Sequence, residues 1–246
     1  MSYQPFFIEG ADRPSQWLVT CDHAANTVPQ AVNGGTLGLE EADMNRHIAY
    51  DVGAAGLAAE LARRLDAPFI RTNFSRLVID PNRGEDDPTL LMKLYDGTIV
   101  PANRHAGAEE LERRMELCHR PYHAALEELA ARRDDRAILA IHSFTPQLRA
   151  GPPRPWKVAV LSGPDRRIAD PLVRGLADLG TFEVGDNEPY SGHLPGDSID
   201  RHALAHGRLN ILVELRNDLI GTTAAQRDWA DTLAPILDAA LAEAQL

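Results

Sequence analysis

Trp17-Leu-Val-Thr-Cys-Asp-His23 begins as an apolar run and closes on an acid and an imidazole. Residues 16–22 read as a buried strand, and the stretch from Ala24 to Pro29, with Gly34-Gly35 beyond it, reads as the loop that follows. Residues 40–65 then carry helical spacing, with Ile48, Val52, Ala55, Leu57, Leu61 and Leu65 near one face. Pro68-Phe-Ile-Arg-Thr-Asn73 reads as the next strand. Strand, helix and strand over about 55 residues make a βαβ unit, so an α/β fold with a mainly parallel sheet is expected.

The same grammar continues downstream. Ala137-Ile-Leu-Ala-Ile-His142 is a second apolar run that ends on a histidine, as expected of a central strand. Lys157–Leu161, Thr181–Val184 and Leu209–Leu215 read as further strands. Helices are expected over 107–133, kinked or divided by Pro121, over Arg166–Leu179, and over Thr222–Ala242. Residues 74–104 read as irregular, with a small hairpin around Asp96-Gly97, and Tyr190–His206 reads as a loop. Gly151-Pro-Pro-Arg-Pro155 is too short for a linker, so residues 1–246 are expected to form a single domain.

Composition narrows the function. Apolar residues make up 44% of the chain, enough for a sizeable core, and the net charge of −11 argues against a nucleic-acid groove. Against that acidic background, arginines gathered at one place would stand out as a site for a small acid. The two cysteines, Cys21 and Cys118, form no disulfide or zinc pattern. The N-terminus lacks the features of a signal peptide and no stretch approaches the roughly 20 apolar residues of a membrane span, so a cytoplasmic enzyme is expected.

Carboxyl ends of buried strands are where α/β proteins build sites, and His23 and His142 both stand there. Either histidine alone could merely satisfy loop backbone groups. Together they suggest two imidazoles converging on a metal ion, most simply zinc, whose catalytic sites need about three protein ligands and one open position. Asp22, Asn26 and Asp51 are the candidates for the third ligand. Glu214, inside an apolar strand, is either a general base or the partner of Arg216 in a structural ion pair. Arg76 and Arg83 flank Asp80-Pro81-Asn82, and with Asn82 could clamp an acidic substrate; the alternative is a loop fastened by an Asp80–arginine pair. Arg216 joins this substrate-binding set. Tyr190 could donate to a developing oxyanion, and His202 could bind substrate or shuttle a proton. His119 and His123 lie four apart around Pro121 and read as packing residues or as supports for the site. Cys21 beside His23 raises a thiol nucleophile, which burial in the strand disfavours. No nucleophile elbow, phosphate loop or dinucleotide fingerprint is present.

Taken in order, these segments resemble the N-formylglutamate amidohydrolase family. The resemblance rests on Cys21-Asp-His-Ala-Ala-Asn-Thr-Val-Pro29, His47-Ile-Ala-Tyr-Asp-Val-Gly-Ala54, Ser75–Arg83, Ala140–Pro146, Asn187–Gly192, Ile199–His202 and Val213–Ile220. It implies a zinc-carboxypeptidase-like (phosphorylase/hydrolase-like) fold, a three-layer α/β/α arrangement with a mixed, mainly parallel sheet. It also implies a metal-dependent amide hydrolase acting on a small acidic N-acyl amino acid such as N-formylglutamate. In that relationship His23 and His142 bind Zn2+ or another divalent metal, Glu214 is the general base, and Arg76 or Arg83 holds the substrate carboxylate. The zinc carboxypeptidases place a glutamate where Asn26 stands, which leaves Asp51 or Asp22 to supply the charge. The same departure raises the alternative of a binding protein on this scaffold, holding acidic ligands without turning them over.

Overall fold

The computed structural model describes residues 3–246. Among the described residues there are nine strands: β1 (Phe6–Glu9), β2 (Trp17–Cys21), β3 (Phe69–Thr72), β4 (Leu94–Tyr95), β5 (Thr98–Ile99), β6 (Ala137–Phe144), β7 (Val158–Leu161), β8 (Val184–Asp186) and β9 (Asn210–Arg216). Seven of them form one sheet in the order β1-β3-β2-β6-β9-β7-β8, and β4 and β5 form a separate hairpin. The four central strands, β3, β2, β6 and β9, are mutually parallel. β1 and β7 join this block antiparallel, and β8 runs parallel to β7. The mixed, mainly parallel α/β sheet expected from the βαβ pattern is therefore present.

Helices cover both faces. α2 (Ala54–Arg64), α5 (Ala169–Ala177) and α7 (Thr223–Glu243) share one core with Val19, Leu139, Ile141 and Val213. α4 (Arg120–Ala130) and the 74–100 segment share the other with Leu18, Ile138, Ala140 and Leu212. Neighbouring residues of one strand thus serve opposite cores, which is why β2, β6 and β9 read as unbroken apolar runs. Each fully buried leucine on these faces contributes about 1.5–3 kcal/mol of transfer free energy.

Three differences from the expected elements matter for the site. The helix expected over 40–65 is divided into α1 (Glu41–Met44) and α2. Between them the Asp51 N–H leaves the helical pattern and donates to the His23 carbonyl at 2.9 Å. Gly53 restarts the helix with φ of 82°, and a Cβ there would lie 2.4 Å from the Ile220 carbonyl oxygen. Ile48 accordingly packs in the second core while Leu57 and Leu61 pack in the first. Next, β6 runs on to Phe144, so His142 is inside the strand rather than past its end. Last, the 190–206 loop contains a short helix, α6 (Ser198–His202), capped by the Asp197 carboxylate accepting from the Asp200 N–H at 2.8 Å. The helix expected over 107–133 is α3 (Ala108–Arg114), a wider π turn (Met115–His119) and α4, with the loosened turn just ahead of Pro121. The edge strand β1, half-buried and four residues long, has no counterpart in the sequence pattern. Among the described residues, no helix is long and apolar enough to cross a membrane.

Candidate active site

Parallel neighbours bring their carboxyl ends together, and here three of them do so. His142 of β6 stands directly beside Glu214 of β9 in the sheet register. Both have the parity of Ala140 and Leu212, so both face the α4 side. His23 follows β2 by two residues, and the hydrogen bond from Asp51 to its carbonyl ties the 45–53 segment to the same end. His23, His142, Asp51 and Glu214 line one cavity of about 240 Å³.

His23, Asp51 and His142 each offer a ligand atom within 4.8 Å of the others, and all three are buried. The two rings meet edge to face with centroids 4.9 Å apart. His142 Nδ1 donates to Asp51 Oδ2 at 2.9 Å, and His23 Nδ1 lies 3.4 Å from the same oxygen. On its other side His23 Nε2 donates to Asp80 Oδ1 at 2.7 Å. His142 Nε2 looks toward Asp22 Oδ2 at 3.8 Å, and Asp22 is itself held by the Tyr122 hydroxyl. His47, which lines the cavity, points Nδ1 at Asp51 Oδ1 from 3.5 Å. The buried atoms His23 Nδ1, His47 Nδ1 and His142 Nε2 have no hydrogen-bond partner.

Charge at this spot favours a cation. Burial alone would drive the His142 imidazole toward neutrality, but Asp22 and Asp51 outweigh it and raise its pKa to about 10. Burial likewise opposes ionisation of Asp51, yet His23 and His142 hold its carboxyl well below the usual range. Two imidazoles and one carboxylate, with outer carboxylates behind the rings, are the donor types of a catalytic zinc centre. The partnerless His23 Nδ1, 3.4 Å from Asp51 Oδ2, is an atom such an ion would satisfy. The residues present therefore fit a divalent metal.

Glu214 is buried, and its Oε2 has no partner. Burial pushes its pKa up to about 7. The ion pair with Arg216 is not formed. Arg216 turns away to Asp218 at 2.9 Å and the Arg154 carbonyl at 3.2 Å, outside the cavity. Arg216, read from the sequence as substrate-binding, thus does not line the cavity.

Arg76 lines the cavity but is occupied. Its guanidinium grips Asp80 Oδ2 at 3.0 and 3.2 Å and reaches Asp51 Oδ1 at 3.4 Å. The loop fastened by an Asp80–arginine pair is therefore present, with Arg76 as the arginine. Arg83 spends Nε on Thr89 and Nη1 on the Asn82 carbonyl, and its Nη2 has no partner among the described residues. Asn82, Arg83 and Tyr190 line the cavity. Burial, followed by the nearby Glu214, raises the Tyr190 hydroxyl to about 12, so it remains a donor at neutral pH.

Several sequence candidates are placed elsewhere. Asn26 gives its amide to the Met44 carbonyl at 2.9 Å and to Asn45 at 3.1 Å, and is not a member of the cluster. Asp51 supplies the negative charge instead. Asp22 lies behind His142 rather than in the cluster. His202 does not line the cavity; its ring bonds His123 and Glu127. Cys21 is fully buried, and burial pushes its thiol well above the ordinary value, which removes a thiolate nucleophile. Two further residues belong to the site without a sequence pattern that says so. Asp80 reads from the sequence only as an arginine partner, although it also orients His23. Asp197, which lines the cavity, is raised by burial to about 6. Its place after Gly196 and before a short polar helix carries no sequence signal.

A mainly parallel α/β sheet whose strand ends deliver imidazoles and carboxylates into one buried cavity is the framework of a hydrolytic enzyme. Residues 15–221 match the N-formylglutamate amidohydrolase family. The chain belongs to that family, whose members are hydrolases acting on amide bonds. It is 29% identical over 210 residues to an N-formylglutamate deformylase of Pseudomonas putida, covering 75% of this chain and 73% of that protein. A gene product of Agrobacterium tumefaciens, known from its crystal structure, is 31% identical with a TM-score of 0.92, covering 99% of this chain and 97% of that one. The crystal structure of an N-formylglutamate amidohydrolase from Ralstonia eutropha shares the fold at 21% identity and a TM-score of 0.66, covering 96% and 97% of the two chains.

Proposed function

We propose that this enzyme is metal-dependent and removes the acyl group of a small acidic N-acyl amino acid, N-formylglutamate in the first instance. His23, His142 and Asp51 are the protein ligands in this reading, and Zn2+ or another divalent cation is the metal. The observation that carries it is the buried His23–Asp51–His142 cluster, in which His23 Nδ1 lies partnerless beside Asp51, with the unpartnered Glu214 carboxylate in the same cavity. The name of the Pseudomonas putida relative supports the substrate.

A divalent cation held by these three residues supplies fixed positive charge that acidifies water and polarises a carbonyl. Glu214 takes a proton from the water that attacks the acyl carbon. It returns that proton to the amine nitrogen as the C–N bond breaks, releasing the carboxylic acid and the free amino acid. Tyr190 donates its hydroxyl proton in a hydrogen bond to the carbonyl oxygen as charge develops there. Arg83, through its free Nη2, and Asn82 hold a substrate carboxylate and so fix the acyl group relative to Glu214. Arg76 keeps Asp80 ionised, and Asp80 in turn fixes the His23 ring.

The test is formate release from N-formyl-L-glutamate by purified protein, with metal content measured in parallel. Activity should vanish on chelation and return with added Zn2+. Undiminished hydrolysis after metal stripping would refute the metal dependence. A fully metallated protein inert toward this compound and toward other N-acyl amino acids would refute the substrate class.

A further inference from the structure

Behind the wall that carries Asn82 and Arg83 lies a second group of histidines that the reaction does not use. His119, His123 and His202 are buried and do not line the cavity. His119 and His123 come from the π turn and α4, with ring centroids 4.4 Å apart, and His202 of α6 stacks on His123 at 5.1 Å. Each of the first two rings holds the loop by a carbonyl. His123 Nε2 donates to the Pro81 oxygen at 2.9 Å, and His119 Nε2 donates to the Arg83 oxygen at 3.2 Å. Ser198 at the start of α6 adds its N–H to Asn82 Oδ1 at 3.2 Å. Pro81 has no N–H, so its carbonyl is the one main-chain group by which that residue can be held.

The chain of bonds extends to the surface. His123 Nδ1 meets His202 Nε2 at 2.8 Å, and His202 Nδ1 meets Glu127 Oε2 at 2.9 Å. Arg208 grips Glu127 at 2.8 and 3.1 Å. Both ends of the imidazole pair face acceptors, a carbonyl and a carboxylate. Making all three bonds therefore takes three N–H protons on two rings, one more than two neutral imidazoles carry. Burial pushes His202 below its ordinary value in spite of Glu127, so that extra proton is weakly held. The arrangement is costly to assemble, and what it secures is the position of two loop carbonyls.

We infer that His119, His123 and His202 are positioning residues that hold the 81–83 backbone so that Asn82 and Arg83 meet the substrate carboxylate. This rests on the proposed role of those two side chains. The inference separates binding from chemistry, because the loop's grip is on the substrate and not on Glu214.

Two substitutions of His123 test it. H123L removes the shorter of the two bonds to the Pro81 carbonyl, leaving the Ser198 hydroxyl at 3.4 Å; H123Q keeps an amide N–H that can reach the same carbonyl. With N-formyl-L-glutamate, H123L should raise KM about tenfold or more while kcat stays within about threefold, and H123Q should recover most of the loss. Hydrogen exchange in the peptide spanning 80–83 should quicken in H123L, slow again in H123Q, and stay unchanged in β6. If H123L does not fold, H119L removes the other donor and should give the same pattern through Arg83. An unchanged KM, a loss confined to kcat, or equal damage in H123Q and H123L would overturn the inference. Should the wild-type enzyme not cleave this compound, the substrate reading fails, and exchange alone decides: quickening restored by glutamine supports positioning, and no change refutes it.

Discussion

The molecule contains two trios of histidines, all buried except the partly exposed His47, and they are built on opposite principles. His23, His47 and His142 surround the Asp51 carboxylate and leave a buried nitrogen on each ring without a partner. His119, His123 and His202 are wired to carbonyls, to one another and to Glu127, with only His119 Nδ1 left over. Buried polar atoms are normally satisfied, so the first trio stores an unmet demand beside a cavity, while the second spends its hydrogen bonds on holding a loop. A histidine count does not separate a site from a scaffold; the accounting of partners does.

Removing a ring from the first trio should have the largest effect. H142A or H23A should leave a protein that loses its metal on dialysis and whose formate release falls to background. Retained stoichiometric metal in either variant would erase the distinction between the trios. E214Q should come next, lowering kcat by about 10²–10⁴ with metal content unchanged. Metal loss in E214Q would mean that this carboxylate belongs to the cluster and not to proton transfer.

Asp80 sharpens the comparison, because it touches both worlds. Its Oδ1 accepts from His23 Nε2 and from the Asn82 N–H, and its Oδ2 accepts from Arg76. Burial opposes its charge, but Arg76 and then His23 hold the carboxyl well below the usual range. D80N keeps the shape and weakens the pull on the ring, so metal affinity should fall about 10–100-fold. A metal titration by competition with a chromogenic chelator measures this. An affinity equal to that of the wild type would show that the His23 ring is oriented without Asp80.

What the sequence reveals and conceals follows the same division. His23, His142 and Glu214 are legible because each sits in an apolar run, and parallel strands must align their ends. Asp51 is harder: the helical spacing of residues 40–65 hides the break at 45–53, where the Asp51 N–H meets the His23 carbonyl beyond β2 and the left-handed Gly53 restarts the helix. Asp80 lies in an irregular segment where no period specifies a direction, so its pairing with Arg76 is foreseeable and its pairing with His23 is not. His202 looks catalytic in a polar loop, but α6 turns it toward His123 and Glu127. Such a turn depends on tertiary contacts that no local pattern encodes. His119 and His123, read as packing or support from the proline between them, are found supporting the loop.

The smallest expected effect concerns the outer end of the second trio. Burial would raise the Glu127 carboxyl, but Arg208 and His202 lower it to about 2. A carboxyl depressed in the folded state adds stability above its unfolded value, near 4.3, and loses it as pH falls toward 2. The side chain is about one-third exposed, so screening keeps the contribution under about 1 kcal/mol. E127Q should therefore melt slightly below the wild type at pH 7, and the gap should narrow by pH 3, as followed by circular dichroism. Under the same conditions the first trio should show no dependence on this substitution, and metal content should be unchanged at pH 7. A melting gap that is the same at both pH values would mean that Glu127 supports the histidines by shape alone. The shared proton would then have no carboxylate to answer to.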